Sequence, residues 1–357
     1  MTEAKPIPKL NIEKTVTDIL NTIERERERE IVSRRYGLFD RKETLEQIGE
    51  LLGITRERVR QLEKAVVARL KAMAEEDLPH MKDVETVFTE EIKKLGHVAR
   101  ISELTAAVGD INSKLDQSRV SFLAQLVPSL AYVDESDHFH MAAGLAAKHS
   151  EKAIRDQVGH VIESVKKIGV PAKIEEIAGA LGSQDAEHTK ALASISKHLA
   201  SLNGRWGLTK WPMVNPKNIR DKIYVILHEN GKQMHFNDIA KSIRDSAFKR
   251  KEVTTQAIHN ELIKDGRFVL VGRGIYALKE WGYKKGTVAD VITEVLKESK
   301  EPLHRDEIVR RVLKKRFVKE TTILLNLQGK SEFKRVAKAT YALAQAEPAL
   351  TEPAMAQ

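Results

Sequence analysis

Hydrophobic residues in the first part of the chain recur every three or four positions, which is the period of an amphipathic helix. The first run consists of Ile12, Val16, Ile19, Leu20 and Ile23. Alternating acidic and basic residues follow from Glu24 to Glu30, a pattern typical of a solvated helix face. The first forty residues are therefore predicted to be helical.

Two further helices are predicted on either side of Gly53. Their apolar faces are Leu45, Ile48, Leu51 and Leu52 in the first helix and Val59, Leu62, Val66 and Leu70 in the second. Gly53 suits the left-handed backbone that ends a helix, and the hydroxyl of Thr55 can cap the next one. Two helices joined by so short a turn predict a helix-turn-helix whose second helix is the recognition helix.

From residue 81 onward the pattern repeats four times. Each unit opens with an amphipathic helix, over 84–95, 158–168, 219–228 and 288–296. A short second helix is anchored by Leu104, Ile177, Ile239 and Ile308, spaced by 73, 62 and 69 residues. A strand-like hairpin then carries an aromatic residue, Phe139, Trp206, Tyr276 or Tyr341, spaced by 67, 70 and 65 residues. The second-helix anchors and the hairpin aromatics are two independent series with similar spacing, and together they predict tandem repeats.

Three helices followed by a two-stranded hairpin is the winged-helix plan. The third unit shows it best, with a third helix over 253–263 and alternating strands over 267–278. The glycines on either side of Arg273 lie between two strands, so they indicate a hairpin tip and not a phosphate-binding loop between strand and helix. Arg273 is then free to contact a phosphate, although an arginine there can equally keep the tip soluble.

The predicted fold class is mainly α, with a helix-turn-helix followed by four tandem winged-helix domains that carry short β wings. The helix-turn-helix domain is expected over 1–76, and the four winged helices over 81–146, 151–213, 217–284 and 286–345. Residues 346–357 are expected to form a disordered tail. Each module is small, as the low aromatic content of 5% suggests.

Composition narrows the classes of protein. The 357 residues carry 60 Lys and Arg against 51 Asp and Glu, a formal net charge of +9, and contain no cysteine. Disulfides, thiolate zinc fingers and cysteine nucleophiles are thereby excluded. No apolar run approaches the roughly 20 residues of a membrane span, so we expect no membrane partner and a location in the cytoplasm, at the nucleoid. The basic surplus favours an anionic partner, with nucleic acid first.

The predicted recognition helix concentrates that charge, with six basic and two acidic residues between positions 56 and 71. Arg56, Glu57 and Gln61 near its start are predicted to read base edges, since their side chains match guanine, cytosine and adenine respectively. The predicted phosphate contacts of this module are Thr55, Arg58, Arg60 and Lys64. An ordinary charged surface helix in an α-bundle explains the pattern equally well.

A second basic patch lies in the fourth unit. It comprises Arg310, Arg311, Lys314, Lys315, Arg316 and Lys319, with no acidic residue between positions 310 and 319. Because a solvated face seldom lacks acids so completely, Arg310, Arg311, Lys314 and Lys315 are predicted to contact phosphates. The alternative is a charged helix end near a linker.

No constellation of residues supports catalysis. The chain has no Gly-x-x-x-x-Gly-Lys loop, no His-Glu-x-x-His and no nucleophile elbow. His138 and His140 alternate along a predicted wing strand without a third ligand, so a metal site is not predicted. The sequence therefore indicates a binding protein without enzymatic activity, metal or cofactor.

The segments 28–38, 44–49 and 52–63, with the core Thr-Arg-Glu-Arg-Val-Arg-Gln-Leu-Glu, resemble region 4 of the bacterial housekeeping sigma factors. The resemblance covers about residues 15–73, a fifth of the chain. It implies that Arg56, Glu57 and Gln61 face bases of a −35 promoter element, with Arg58 and Arg60 supporting the backbone contacts. It also implies binding to the flap of the RNA polymerase β subunit. Nothing in the sequence resembles the domain that captures −10 bases, so we expect no promoter opening by this protein alone.

Residues 219–283 resemble the HARE-type winged helix in the delta subunit of bacterial RNA polymerase. The resemblance rests on the segments 236–240, 263–268 and 274–281. The delta subunit ends in a long acidic tail that competes with nucleic acid, whereas residues 347–357 are few and nearly uncharged. That displacing activity is therefore not expected here.

The sequence thus predicts a transcription factor that binds double-stranded promoter DNA and RNA polymerase. Two alternatives stay open. The first is an accessory protein that competes with a sigma factor or resembles the delta subunit and never reads DNA. The second is a nucleoid-associated protein that binds DNA without sequence preference.

Overall fold

A computed structural model describes residues 10–109, 112–248, 252–283 and 286–344. The chain is 57% helical, with small three-stranded sheets, which confirms the mainly α fold class. It divides into two compact units, residues 1–215 and 216–357. Among the described residues, no helix combines the length and the apolar character needed to cross a bilayer. The tail predicted over 346–357 lies outside the described residues.

The N-terminal module consists of four helices: α1 (Ile12–Asn21), α2 (Glu26–Tyr36), α3 (Leu45–Leu52) and α4 (Arg56–Glu76). The charged run predicted to be solvated forms the start of α2. Glu28 departs from that prediction because it is only 6% exposed, and its carboxylate accepts a hydrogen bond of 2.8 Å from Arg69 on α4. The pair joins α2 to α4 beneath the helix-turn-helix.

Two repeats of one plan complete the first unit. The elements of repeat 1 are α5 (Met81–Lys94), β1 (Val98–Arg100), α6 (Ile101–Val108), α7 (Lys114–Leu126), β2 (Leu130–Val133) and β3 (Ala142–Leu145). Those of repeat 2 are α8 (Glu151–Ile168), β4 (Ala172–Lys173), α9 (Ile174–Ala180), α10 (Ala186–Ile195), β5 (Leu199–Leu202) and β6 (Arg205–Leu208).

The second unit contains two more repeats with the same order of elements. Repeat 3 comprises α11 (Ile219–Asn230), β7 (Met234–His235), α12 (Phe236–Asp245), α13 (Thr255–Lys264), β8 (Phe268–Gly272) and β9 (Ile275–Leu278), and a short 3₁₀ turn follows over Lys279–Trp281. Repeat 4 comprises α14 (Val288–Ser299), β10 (Leu303–His304), α15 (Arg305–Lys315), α16 (Glu320–Gly329), β11 (Phe333–Ala337) and β12 (Thr340–Leu343).

Each repeat builds one antiparallel sheet in which its third strand lies between its first and second strands. The strand before the second helix therefore pairs with the last strand, as in the register Met234 to Tyr276 of repeat 3. The predicted anchors Leu104, Ile177, Ile239 and Ile308 all lie in the second helix of a repeat, and all are 0% exposed. The predicted spacing of the second-helix anchors is confirmed, because each anchor fills the same position in the core of its repeat.

The prediction that each hairpin strand carries an aromatic residue is wrong in repeat 1. Trp206, Tyr276 and Tyr341 lie in the last strand of their repeats, but Phe139 precedes β3 and bridges to Ser196 of repeat 2. The strand itself carries small residues and is buried along its whole length. At Gly144 an added Cβ would stand 2.5 Å from Val98 Cγ1 and 2.8 Å from Ile154 Cδ1. No aromatic side chain fits there, because both faces of the sheet are covered.

The cores of the first unit run across module boundaries. One hydrophobic cluster extends from Ile12 of α1 through Val66 of α4 to Leu145 of β3. A second cluster joins Val98 and Ala142 of repeat 1 to the core of repeat 2. The N-terminal module, repeat 1 and repeat 2 are thus held together by shared apolar surface, the main stabilising contribution in folded proteins.

Candidate nucleic-acid interface

The turn between α3 and α4 is fixed by caps at both helix ends. Gly53 ends α3 with a φ of 64°, a left-handed conformation that glycine adopts without strain. The Thr55 hydroxyl accepts a hydrogen bond of 3.2 Å from the Arg58 amide and so caps α4. Gly49 allows α3 to approach the turn, since an added Cβ would lie 2.7 Å from the Ile54 carbonyl oxygen. The predicted helix-turn-helix and its cap are therefore confirmed.

Apolar contacts set which face of α4 points outward. Val59 is completely buried in a small cluster with Ile31 of α2 and Ile48 of α3. Further along α4, Val66 and Leu70 enter the large core of the first unit. This stripe orients α4 by burial on one side and leaves its N-terminal polar residues in solvent.

The predicted contact residues of α4 lie on the opposite, open face. Its exposed members are Arg56, Glu57, Arg58, Gln61 and Lys64, and Arg60 is half-buried. The structure therefore brings all the DNA-contact candidates of this module onto one helix, with Thr55 exposed at its start. We call this surface, Thr55 to Lys64, the α4 face.

Four residues of the α4 face are linked by hydrogen bonds in the free protein. Arg60 donates to both carboxylate oxygens of Glu57, with 2.8 Å from its Nε to Oε2. Gln61 Nε2 donates to Glu57 Oε1 at 3.5 Å, and its Oε1 accepts from Arg58 at 3.4 Å. The bonds from Arg60 hold the pKa of the Glu57 carboxyl below its ordinary value. Glu57 is thus ionised at neutral pH and acts as a hydrogen-bond acceptor only.

Arg56 and Lys64 differ from these four residues. Neither side chain has a hydrogen bond or an ion pair with any residue that the structure describes, although the charge of Lys64 helps to lower the pKa of Glu57 after the bonds from Arg60. Their charges are therefore uncommitted, whereas the Arg60 guanidinium must leave Glu57 or share its donors before it can contact a phosphate.

The basic patch of repeat 4 has acidic neighbours in space that its sequence window lacks. Arg310 donates two hydrogen bonds of 2.8 Å to Glu307, and Arg311 donates one of 2.6 Å to the same carboxylate. These bonds lower the pKa of Glu307 to about 2. Lys315 lies 2.8 Å from Glu298 of α14, while Lys314 is exposed. The acids precede the window by one helical turn or come from another helix, so the sequence reading missed them.

Arg273 occupies the turn between β8 and β9 and is exposed. The hairpin next to it is closely packed, since an added Cβ at Gly272 would lie 2.8 Å from the Phe317 carbonyl oxygen. Phe317 lies two residues after the end of α15, between Arg316 and Lys319. The hairpin of repeat 3 therefore contacts the segment at the end of the repeat 4 patch.

The third helix of each repeat, the recognition position in a winged helix, has a different environment in the two units. In repeat 1, α7 packs against α1, α2 and α4, and six of its residues between 120 and 126 are buried. In repeat 2, α10 packs against β1 of repeat 1. In repeats 3 and 4 only two residues of each third helix are buried. Both α7 and α10 are therefore occupied by protein contacts.

An uncharged polar pair on α13 was missed by the sequence analysis. Gln256 and Asn260 are exposed and share a hydrogen bond of 3.1 Å from Gln256 Nε2 to Asn260 Oδ1. Their carboxamides suit adenine edges. Their spacing of four residues on a predicted helix was the available signal in the sequence.

The prediction that His138 and His140 alternate along a wing strand is wrong, because the last strand of repeat 1 begins only at Ala142. His138 Nδ1 lies 2.7 Å from His198 Nε2, and burial, together with Arg100 and Lys197, lowers the pKa of His140 to about 4. No group of three or more His, Asp or Glu side chains within the described ranges is arranged to hold a metal ion.

Comparison with known proteins assigns the helix-turn-helix. Residues 25–72 match the model of the family described as Sigma-70, region 4. The RNA polymerase principal sigma factor HrdC of Streptomyces coelicolor is 57% identical over 47 residues, 13% of this chain and 14% of the relative. The RNA polymerase sigma factor SigA of a Bacillus species is 39% identical over 61 residues, 17% of this chain and 16% of the relative.

A second kind of relative is also similar to part of the chain. The probable DNA-directed RNA polymerase subunit delta of Staphylococcus aureus is 31% identical over 72 residues, 19% of this chain and 41% of the relative. In all three relatives the match spans less than half of the relative's length. The chain thus contains a Sigma-70 region 4 domain and also resembles a delta subunit.

Proposed function

We propose that this protein is a transcription factor that binds promoter DNA through the α4 face and associates with RNA polymerase during initiation. The observation that carries the proposal is the open polar face of a capped helix-turn-helix in a Sigma-70 region 4 domain. The four repeats, which have the element order and sheet of winged helices, serve as its further modules.

In the proposed complex the N-terminal half of α4 lies in the major groove. Arg56 donates to guanine, Gln61 pairs with adenine, and Glu57 accepts from the cytosine amino group. Arg58 and Lys64 contact phosphates, and Thr55 donates its hydroxyl hydrogen to one while its oxygen keeps the cap. When Glu57 accepts a hydrogen bond from a base, the Arg60 guanidinium is released and contacts a phosphate. Binding thus exchanges the Arg60–Glu57 hydrogen bonds for contacts with DNA.

Binding of labelled duplexes tests this proposal. A duplex with a −35-like element and a scrambled duplex are titrated with the full chain at several salt concentrations. If about four phosphates are neutralised, log K falls with log salt at a slope of about −3.6. The triple variant R56A/E57A/Q61A loses the preference for the −35-like duplex, whereas R58A/K64A weakens both duplexes equally. Equal affinity of the unaltered protein for both duplexes contradicts base reading and favours a nucleoid-associated protein.

A polymerase accessory role is the second candidate, and the covered helices favour it. Because α7 and α10 are buried against neighbouring modules, repeats 1 and 2 have no free recognition helix and act as connectors. The similarity to a delta subunit also supports polymerase binding, and in this role the region 4 domain would contact the β flap. In this role the protein competes with a sigma factor and reads no DNA.

Purified polymerase distinguishes the two roles. The accessory role predicts that R58A/R60A retains full affinity for core polymerase and still displaces a sigma factor from it. The promoter-binding role predicts, in addition, that the same variant loses most of its DNA affinity. Failure of the full chain to bind core polymerase at all would exclude the accessory role and leave DNA binding as the activity.

A further inference from the structure

The junction between repeats 1 and 2 is rich in histidine. There α10 of repeat 2 packs on β1 of repeat 1, and the two repeats share an apolar core that includes Val98 and Ala142. Six of the twelve histidines of the chain lie at this junction: His97, His138, His140, His149, His188 and His198. Because the ordinary pKa of histidine is about 6.5, the charge of this junction can change near neutral pH.

Three of these histidines meet in one place. His97 precedes β1, His149 lies between β3 and α8, and His188 belongs to α10. The imidazole rings of His149 and His188 stack with their centroids 4.9 Å apart, and His188 Nδ1 donates a hydrogen bond of 2.7 Å to the Gly96 carbonyl. An added Cβ at Gly96 would lie 2.8 Å from the main chain of α10, so the repeats are in close contact here. We call His97, His149, His188 and the neighbouring Lys148 the histidine corner.

The contact with Lys148 requires an uncharged His97. Lys148 Nζ lies 2.9 Å from His97 Nε2, and because an ammonium group can only donate, this ring nitrogen must accept. His97 Nδ1 then carries the ring hydrogen, and it is buried without a hydrogen-bond partner among the described residues. Protonation of Nε2 would bring two donors and two positive charges together at this distance. The contact therefore exists only while His97 is neutral.

The surroundings of His97 favour that neutral state. Burial makes the largest contribution to lowering the pKa of His97, and Lys148 makes the next largest. Asp185 at the N-cap of α10 opposes this shift, while His188 and Lys93 of α5 add to it. The groups that face His97 from every side thus keep it uncharged at pH 7.

Acid should therefore weaken the histidine corner. Burial, and then the other members of the corner, lower the pKa of His149 as well. Lowered pKa values mean that the separated repeats bind more protons than the joined repeats do. The stabilisation of the junction is thus fully present above about pH 6.5 and is lost as the pH falls toward the lowered values.

The other end of the junction has the same property. The contact of 2.7 Å between His138 Nδ1 and His198 Nε2 needs one nitrogen without a hydrogen, so it cannot persist when both rings are protonated. Burial is the main cause that lowers the pKa of the adjacent His140 to about 4. The charged groups that face this end are Arg100, Lys197 and Glu135. Both ends of the junction are therefore arranged for neutral imidazoles.

We propose that the junction between repeats 1 and 2 is a pH-sensitive contact, closed at neutral pH and opening more often below about pH 6, which uncovers α10. Since α10 is the third helix of its repeat, opening frees the recognition position that repeat 1 covers at neutral pH. This inference goes beyond the proposed function and does not depend on DNA reading by the α4 face.

Amide hydrogen exchange of the full chain at about pH 7.5 and about pH 5.5 tests the proposal. The protection factors of β1 and α10 should fall at least about tenfold at the lower pH, since one unit of pKa lowering in one histidine corresponds to a factor of ten. Those of α14 in the second unit should stay unchanged and serve as the internal reference. Both conditions lie above the ordinary pKa of carboxyl groups, so the acidic residues keep their charge.

Two variants separate the charge of the histidine corner from other effects of acid. In H97N/H149F, asparagine suits the φ of 69° at position 97, and phenylalanine keeps the ring stack without titrating. K148Q removes the exposed cation beside His97, and K152Q on α8 is its matched exposed control. Both H97N/H149F and K148Q should reduce the fall in protection by at least about threefold, or about half a pKa unit, whereas K152Q should behave as the unaltered protein.

The proposal is overturned if the protection factors of β1 and α10 are the same at both pH values. It is also overturned if H97N/H149F shows the full fall of the unaltered protein, because the acid sensitivity would then arise elsewhere. If the double variant does not fold, K148Q decides in the same way, since Lys148 is exposed and its replacement leaves the core intact.

Discussion

The guanidinium of Arg119 donates a hydrogen bond of 2.8 Å from its Nε to the main-chain carbonyl of Leu38. Arg119 belongs to α7 of repeat 1, and Leu38 follows α2 of the N-terminal module. The arginine is only 6% exposed and also lies 3.2 Å from Glu13 of α1. One buried side chain therefore links the region 4 domain to the repeat behind it.

Replacement of Arg119 by alanine should destabilise the first unit by about 2–4 kcal/mol, because a buried carbonyl loses its charged donor and the guanidinium leaves a gap. Thermal unfolding of the full chain measures the loss, and amide exchange of α1 and α7 locates it. Lys14→Ala, on the exposed side of α1, is the matched control and should change nothing. Unaltered protection of α1 in R119A would show that the link contributes no stability.

Two glycines in the first unit should respond to alanine in opposite directions. Gly144 lies in the covered strand β3, where a Cβ meets two side chains, whereas Gly159 lies in α8 with nothing within 4 Å. G144A should cost about 1–3 kcal/mol through overpacking. G159A should stabilise by up to about 1 kcal/mol, since alanine favours a helix more than glycine does. Urea unfolding measures the free energy of unfolding of both variants. An unchanged free energy of unfolding in G144A would contradict the close packing around β3.

The ion pair of Glu28 predicts a pH dependence of stability. The hydrogen bond from Arg69 holds the pKa of Glu28 below its ordinary value of 4.5. The stabilisation is therefore fully present above about pH 4.5 and is lost as the pH falls through the lowered pKa. E28Q should lower the free energy of unfolding by about 1–3 kcal/mol at pH 7, and the difference should shrink at pH 3.

The control for this pair is E90Q. Glu90 is an exposed residue that pairs with Lys93 one turn away on α5, and such surface pairs contribute little. E90Q should match the unaltered protein at pH 7. A difference between E28Q and the unaltered protein that persists unchanged at pH 3 would show that packing, not charge, explains the effect.

The hydrogen bonds between Glu57 and Arg60 predict that removing the Glu57 charge raises the affinity for DNA and lowers the preference for one base pair over another. E57Q removes a negative charge from the α4 face and releases the Arg60 guanidinium for phosphate. We expect tighter binding to a scrambled duplex and a loss of about 1–3 kcal/mol of discrimination at one base pair. Fluorescence anisotropy with single-substitution duplexes measures both. A preference unchanged in E57Q would restrict the role of Glu57 to holding Arg60.

The sequence predicted the local features of this protein well. The cap at Thr55, the turn at Gly53 and the four second-helix anchors depend on residue type and short spacing, which the chain shows directly. Phe139 was misplaced because the demand for small residues in β3 comes from repeat 2 packing on the sheet. The acid beside Lys315 was missed for a related reason, since Glu298 lies on the neighbouring helix α14 and not in the window from 310 to 319.

The shared core of the first unit also sets an order of events during synthesis. The region 4 domain leaves the ribosome first, yet its α1 and α4 complete their apolar contacts with residues as late as Leu145, and β3 is enclosed only when α8 arrives. Domains generally fold as they emerge from the ribosome. The hydrophobic core of this one remains incomplete until repeats 1 and 2 have been translated. A nascent chain interrupted before repeat 2 would carry α4 on an incomplete hydrophobic core, so the support of the helix-turn-helix depends on residues as far as the end of β6.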